Sequence, residues 1–325
     1  MEIKFIMKRV LGLLVFAVLL QGCDDGNLTQ EDINFETATM QSCSTNNLIY
    51  KLNKTEALIL DIDSTSFTKE PSLKGAPTEI DITSTNRVVY RFYAGAVSSD
   101  NICETIPPAT PIVTDQWNAT DGKIQIFTTA IKKTNTTDNS TRITGYNHNI
   151  VFKNITFAKN NGTQVYETFA FGDYEKSITP LPFLFDKTVE KCATSNQIYN
   201  YTSSEALMLT IDPSLLANEV TPLNTPRTGI IGTTTNVLTY RLFSGLLTPA
   251  YFCNATTPTT PALSQEWTGV EGVAGTSGIV EVTTTTNGPG SFKHTIVLKK
   301  VTLKKGRNDF LLGDNFIFGD LLTTN

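Results

Sequence analysis

The feature that most constrains the fold of this chain is a segment of about 30 residues that occurs twice. The first copy spans 87–117 and the second spans 237–267. Equivalent residues differ by 150 in number: Tyr90 and Tyr240, Arg91 and Arg241, Cys103 and Cys253, Pro111 and Pro261, Trp117 and Trp267. Agreement over so long a stretch, with cysteine and tryptophan included, predicts two copies of one domain.

Outside this segment, the two copies share short runs of residues that favour strands. ALILDI at 57–62 matches ALMLTI at 206–211, for example. These runs alternate apolar and polar residues or form short apolar blocks bounded by turn residues, which is typical of strands in a sandwich or a barrel. About seven strands per copy predict an all-β chain of two tandem, homologous, antiparallel β-sandwich domains. We place repeat 1 at residues 35–176 and repeat 2 at residues 177–325.

The composition disfavours one class of partner and offers no catalytic motif. The formal net charge is −5 at pH 7, whereas nucleic-acid-binding proteins concentrate lysine and arginine into basic patches. His148 and His294 occupy matching positions, and no hydrolase motif accompanies either one. Cysteine and histidine are not spaced as in a zinc site. We therefore predict no enzymatic activity, metal, cofactor or nucleic-acid partner, and we expect both histidines at a sheet surface or edge.

The first residues have the features of a signal peptide. Three basic residues lie before an uncharged apolar run at 10–20, and Leu20-Gln21-Gly22-Cys23 follows. This segment resembles the signal of bacterial lipoproteins, in which such a lipobox ends in the cysteine. The resemblance implies a signal peptide at residues 1–22, lipidation of Cys23, a tether at residues 23–34 and a membrane bound through the lipid anchor. The alternative is an ordinary secretory signal with a chance cysteine.

Two aspartates follow the cysteine and bear on the location of the protein. Asp24-Asp25-Gly26 resembles the surface-export signal of Bacteroidota lipoproteins. An aspartate at this position also resembles the inner-membrane retention signal of enteric bacteria. We favour an outer-membrane lipoprotein that is exposed on the cell surface.

The four remaining cysteines are divided equally between the repeats. Cys43 and Cys103 are 60 residues apart, and Cys192 and Cys253 are 61 residues apart. An exported compartment permits disulfides. A tandem duplication keeps a bridge intact only if both cysteines lie within the duplicated unit, so we predict Cys43–Cys103 and Cys192–Cys253. The alternative is four buried free thiols.

The paired tryptophans and paired charges are further candidates. If Trp117 and Trp267 are exposed, their flat rings can stack on sugar rings. If they are buried, they belong to the core. Arg91 lies between apolar neighbours on its strand face, and Arg241 occupies the matching position. A partly buried charge needs a partner. We predict a structural ion pair within each repeat, between Glu56 and Arg91 and between Glu205 and Arg241. The alternative acceptors for the two arginines are Asp173 in repeat 1 and Asp320 in repeat 2.

These observations favour a non-enzymatic role in binding or adhesion. Tandem sandwiches on an acylated tether resemble the glycan-binding lipoproteins of Bacteroidota polysaccharide-uptake systems, which implies an extracellular glycan or an outer-membrane protein as partner. One alternative is a structural envelope lipoprotein without a ligand site. A glycan-active enzyme is a further alternative, and it would need a close pair of carboxylates in a cleft.

Overall fold

A computed structural model describes residues 33–186 and 188–325, and this part of the chain is almost entirely β-structure. The predicted all-β class is confirmed. The strands of repeat 1 are β1 (Met40–Ser42), β2 (Leu48–Asn53), β3 (Glu56–Asp61), β4 (Thr78–Asp81), β5 (Arg87–Tyr93), β6 (Val113–Thr134), β7 (Thr141–Lys159) and β8 (Gly162–Ser177). A short helix, α1 (Asp100–Cys103), lies between β5 and β6.

Repeat 2 contains eleven further strands in the described residues. They are β9 (Thr188–Lys191), β10 (Gln197–Tyr201), β11 (Glu205–Thr210), β12 (Arg227–Ile230), β13 (Val237–Phe243), β14 (Leu263–Gly269), β15 (Ile279–Thr286), β16 (Ser291–Lys299), β17 (Thr302–Lys305), β18 (Asn308–Leu311) and β19 (Phe316–Thr324). Single 3-10 turns lie at Ser64–Ser66, Pro213–Leu216 and Pro249–Tyr251. Within the described ranges, no helix is long and apolar enough to cross a membrane.

The strands of the two repeats pair in corresponding orders. The order in repeat 1 is β1-β2-β3-β5-β6-β7-β8, with β4 paired to β6. In repeat 2, β9-β10-β11-β13-β14-β17-β18 forms one layer and β12-β15-β16-β19 forms the other. Strand β9 joins these layers, because it pairs antiparallel with β10 and parallel with β19. The sandwich is therefore antiparallel except at the β9–β19 pair.

The strands of repeat 1 differ in length from the prediction of seven short ones. β6, β7 and β8 contain 22, 19 and 16 residues. Each passes from one layer to the other, so β6 pairs with β5 near Trp117 and with β4 near Ile124. The register of β6 shifts around Asp121, and Gly122 has a φ of 122°, which accommodates the bend. In repeat 2 the corresponding strands are interrupted instead, for example between β14 and β15.

Each repeat has a core between its two layers. In repeat 1 this core includes Leu58 and Tyr90 from one layer and Ile124 and Phe152 from the other. In repeat 2 it includes the equivalent residues from β11, β13, β15 and β16: Leu207, Tyr240, Val280 and Leu298. The burial of both inner faces explains why the strand runs of the two copies have the same apolar pattern.

A second, smaller core covers the outer face of one layer in each repeat. In repeat 1 the segment between β5 and β6 folds back, and Ile102 of α1 packs with Tyr50, Ile59 and Val89. The strand run at 57–62 is therefore apolar without alternation, because both of its faces are covered. In repeat 2 an equivalent cluster contains Tyr199, Met208, Tyr251 and Phe252.

Both predicted disulfides are present, and each holds this returning segment in place. The Cα atoms are 5.3 Å apart in Cys43–Cys103 and 5.3 Å apart in Cys192–Cys253. Both distances lie within the usual range for a disulfide. Each bridge joins the entry of the repeat to the segment that covers the outer face of the sheet.

The structured part of repeat 1 begins earlier than the predicted tether boundary. Ile33 and Phe35 are buried in the core of repeat 1, and the side chain of Asn53 donates to the carbonyl of Asn34 at 3.1 Å. The assignment of residues 33 and 34 to a tether is therefore wrong, since apolar burial holds this segment in the fold. The predicted signal peptide, the predicted lipidation site Cys23 and the rest of the predicted tether lie outside the described residues.

Candidate functional site

The two repeats are joined by polar contacts along β18 and the turns beside it. The hydroxyl of Tyr146 donates to Asn308 Oδ1 at 3.0 Å, and Asn308 Nδ2 donates to the carbonyl of Lys69 at 2.9 Å. Three further hydrogen bonds join the repeats, from Leu311 N to Thr141 Oγ1, from Asp314 N to Asp138 O and from Asn139 Nδ2 to Asp314 Oδ2. Lys132 and Asp309 form an ion pair between the repeats. So many directed contacts fix the orientation of one repeat against the other.

Apolar residues of repeat 1 and of the segment between β8 and β9, which we call the linker, extend the core of repeat 2. Ile143 and Tyr146 of β7 belong to the same buried cluster as the inner residues of repeat 2. Ile178, Leu181 and Phe183 of the linker pack against this cluster. The linker is therefore part of the folded core.

A buried carboxylate holds the linker in repeat 2. Glu205 Oε1 accepts from the backbone N–H of Phe183 at 2.8 Å, and its Oε2 accepts from that of Leu184 at 3.2 Å. The hydroxyl of Tyr240 also donates to Glu205 Oε1 at 2.6 Å. Burial, together with this carboxylate, raises the pKa of Tyr240 well above its usual value. The ring of Phe183 stacks on that of Tyr240, with centroids 4.5 Å apart.

A cavity of about 760 Å³ lies at this junction, and we call it the junction cavity. Its lining comes from repeat 1, the linker and repeat 2: Lys69, Glu70, Arg142, Ile143, Tyr146, Lys176, Ser177, Ile178, Thr179, Leu181, Ser264, Gln265, Trp267, Lys305, Gly306, Asn308 and Phe310. Its volume is within the range of about 300–1,000 Å³ that is usual for small-molecule sites.

The floor of the junction cavity is aromatic and buried. Tyr146, Trp267 and Phe310 are each less than about a tenth exposed, and the rings of Trp267 and Phe310 have centroids 5.0 Å apart. The indole N–H of Trp267 donates to Gln265 Oε1 at 3.2 Å. Burial raises the pKa of Tyr146, so this phenol stays protonated and donates to Asn308. The floor therefore combines flat apolar faces with fixed hydrogen-bonding groups.

The wall and mouth of the junction cavity are cationic. The guanidinium of Arg142 lies 4.4 Å from the ring centroid of Phe183 and donates to the carbonyl of Thr141 at 2.7 Å. Lys69, Lys176 and Lys305 lie exposed at the mouth. Among the described residues, none of these three lysines is within ion-pair distance of a carboxylate.

The two tryptophans proposed for stacking differ in their surroundings. Trp117 is buried in the core of repeat 1, and Lys159 Nζ lies 4.2 Å from its ring centroid. Stacking of a ligand on Trp117 is therefore excluded by its neighbours. Lys305 occupies the position of Lys159 in repeat 2, but it lies at the cavity mouth. Trp267 is also largely buried, yet it lines the junction cavity, so it remains a candidate.

A difference in sequence between the repeats accounts for part of the difference in the surroundings of the two tryptophans. The strand pairing places Gln164 of repeat 1 and Phe310 of repeat 2 at the same position. Gln164 Oε1 accepts from Lys159 Nζ at 3.1 Å, which helps to hold the ammonium near Trp117. Phe310 cannot accept a hydrogen bond, and it packs on Trp267 instead.

The predicted ion pairs of Glu56 with Arg91 and of Glu205 with Arg241 are wrong. Arg91 donates to Gln116 Oε1 at 2.7 Å, and Arg241 pairs with Glu266 at 2.6 Å. The register explains both partners, because Gln116 lies opposite Arg91 and Glu266 lies opposite Arg241. The residues opposite the arginines in β3 and β11 are Ala57 and Ala206, so the neighbouring glutamates point to the other face of the sheet.

The alternative acceptors also bind other groups. Asp173 accepts from the amides of Asn147 and Asn149, and Asp320 accepts from the hydroxyl of Thr295. Neither carboxylate forms an ion pair with an arginine in the described part of the chain.

The two histidines are buried in the sandwich, which corrects the expectation of a surface or edge position. The hydroxyl of Thr128 lies 2.9 Å from His148 Nδ1, and that of Thr284 lies 2.8 Å from His294 Nδ1. Burial, and secondarily the charge of Lys176, lowers the pKa of His148 from 6.5 to about 4. Burial also lowers the pKa of His294. Both imidazoles are therefore neutral at pH 7.

This burial predicts an acid-sensitive fold. A histidine whose pKa is depressed on folding stabilises the protein above its unfolded pKa, and this contribution is lost as the pH falls towards the folded value. For His148 the loss between pH 7 and pH 4 is about 3 kcal/mol. The free energy of unfolding, measured with urea at both values, should fall less in His148→Gln than in the unsubstituted protein. An equal fall in the two proteins would contradict this prediction.

The residues of the junction cavity were missed by sequence reasoning, apart from Trp267. A comparison of the two copies identifies the features that both repeats share. The junction cavity instead lies between surfaces that differ in the two repeats. The sequence suggests that Arg142, Ile143 and Tyr146 belong to a turn region that is longer in repeat 1 than in repeat 2, whereas the structure places them in the first part of β7. Their apolar and aromatic character in a polar segment was the available signal.

In the described ranges, no group of three or more histidine, cysteine, aspartate or glutamate residues is placed to hold a metal ion. The chain matches no protein-family model, no curated protein and no solved structure.

Proposed function

We propose that this protein is a non-enzymatic binding protein whose ligand occupies the junction cavity. The observation that carries the proposal is the composition of this cavity, which joins a buried aromatic floor to a polar mouth. A concave site of this size with a few fixed polar groups is the usual form of a ligand site. The rigid docking of the repeats would keep such a site preformed.

A glycan is the ligand class that fits this lining best. Sugar rings present apolar C–H faces that stack on aromatic side chains, and Trp267 and Tyr146 supply aromatic rings at the floor. Sugar hydroxyls need donors and acceptors in turn, and Asn308, Gln265 and Ser264 supply both.

The lining supports binding better than glycoside hydrolysis. Most glycosidases use two carboxylates about 5–10 Å apart. Among the described residues that line the junction cavity, Glu70 is the single carboxylate. A structural envelope protein without a ligand site is the second candidate, and it is the outcome if the cavity binds nothing.

The lipobox at Cys23 supports a surface-anchored, outer-membrane form of this binding protein. In that arrangement the lipid anchor holds the protein at the membrane, and the two repeats present the junction cavity to extracellular glycans or to an outer-membrane protein partner.

A glycan array tests the proposal when it is combined with a variant that fills the cavity mouth. Ser264→Trp would place an indole at the mouth and should weaken glycan binding by about tenfold or more. Thr114→Trp is the matched control, because Thr114 is the exposed equivalent of Ser264 in repeat 1. Glycan binding that survives Ser264→Trp, or no binding to any glycan, would contradict the proposal.

A further inference from the structure

The mouth of the junction cavity has an excess of positive charge. Lys69, Lys176 and Lys305 come from a loop of repeat 1, the end of β8 and the end of β17. The whole chain carries a formal net charge of −5, so a cluster of cations does not follow from its composition. Three elements distant in sequence bring these ammonium groups to one opening.

The other charges of the lining have counter-charges of their own. Glu70 Oε1 accepts from the backbone N–H of Arg307 at 3.0 Å and lies 3.7 Å from Arg307 Nε. This approach depends on Gly306, since a Cβ at that position would collide with the Glu70 carboxylate. Burial lowers the pKa of the Arg142 guanidinium, and the negative charges of Asp138 and Glu205 oppose this shift. In the part of the chain that the structure describes, the three lysines are therefore the charges of the cavity lining without a carboxylate at ion-pair distance.

We propose that the ligand of the junction cavity is an acidic glycan, a refinement that rests on the proposed function. Its carboxylate or sulfate groups lie at Lys69, Lys176 and Lys305, and a sugar ring lies over the aromatic floor. Ammonium groups around a partly enclosed opening attract anions more strongly than they do on an open surface. A neutral glycan leaves these three charges unpaired, so it binds more weakly.

Pairs of glycans that differ in charge test this inference on the intact protein. The probes are oligogalacturonate and its methyl ester, sialyllactose and lactose, and dextran sulfate and dextran. The double variant Lys176→Gln, Lys305→Gln removes two of the cations. Lys304→Gln is the control, because Lys304 is an exposed neighbour of Lys305 that does not line the cavity.

We expect at least one acidic probe to bind more tightly than its neutral partner, and the double variant to weaken its binding by about tenfold. Lys304→Gln should leave that binding unchanged, and added salt should weaken it. If a neutral probe binds as tightly as its acidic partner and the double variant has no effect, the acidic class is wrong while ligand binding stands. If Lys304→Gln weakens the acidic probe as much as the double variant does, the contact is general surface charge and the inference is wrong. If none of these probes binds but the array identifies a neutral glycan ligand, the inference is wrong and the proposed function stands. If neither the probes nor the array yields a ligand, both are wrong.

Discussion

Replacement of Glu205 by alanine is expected to lower the free energy of unfolding by about 3–5 kcal/mol. The carboxylate is 1% exposed and accepts three hydrogen bonds, from Phe183 N, Leu184 N and Tyr240 Oη. Its removal would leave these donors buried without a partner and would release the linker from repeat 2. Urea denaturation followed by circular dichroism measures this loss.

Two further variants separate the hydrogen bonds from other effects of the substitution. Glu205→Gln retains an acceptor oxygen of the same size, so its loss should be smaller than that of Glu205→Ala. Glu56→Ala is the matched control in repeat 1, because Glu56 is half-buried and forms no hydrogen bond or ion pair through its side chain within the described residues. Equal losses in Glu205→Ala and Glu56→Ala would refute the account of this carboxylate.

Loss of either disulfide should have an effect of similar size. The bridges close loops of 60 and 61 residues, and the chain-entropy treatment assigns about 4 kcal/mol to a loop of this length. We expect the double variant Cys192→Ala, Cys253→Ala to unfold at a markedly lower urea concentration. Hydrogen exchange should increase first in 244–262, since this segment loses its attachment to the outer face of the sheet.

The pair Cys43→Ala, Cys103→Ala provides the comparison in repeat 1. Its exchange should increase in 94–112 and leave 244–262 unchanged, because each bridge is local to its repeat. An unchanged free energy of unfolding in both double variants would show that the bridges do not stabilise the fold.

Features that each copy contains in full could be predicted from the sequence. The all-β class follows from the strand runs, and the disulfides follow from the position of both cysteines of each pair inside one copy. The prediction of the ion pairs was wrong for a reason that the sequence does not show. Partners on a sheet depend on the register between strands, and a shift of one residue places a side chain on the opposite face. Glu205 is one position from the residue opposite Arg241, so it binds the linker instead.

The junction cavity could not be predicted because it depends on how the two copies dock. Duplication supplies two tryptophans in equivalent strands, but the neighbours of each ring are set by residues that differ between the copies. Gln164 favours a lysine over Trp117, whereas Phe310 packs on Trp267 beside Tyr146 of the other repeat. Repetition therefore predicts the fold of each repeat and not the surface between them.

The most direct test of binding at the junction is the tryptophan emission of Trp117→Phe during titration with a glycan that the array identifies. The chain contains two tryptophans, so Trp267 is the only one left in this variant. We predict a saturable change in its emission, with the same midpoint as glycan binding, and no change in Trp267→Phe. A silent Trp117→Phe variant together with a responding Trp267→Phe variant would place the ligand elsewhere and contradict the account.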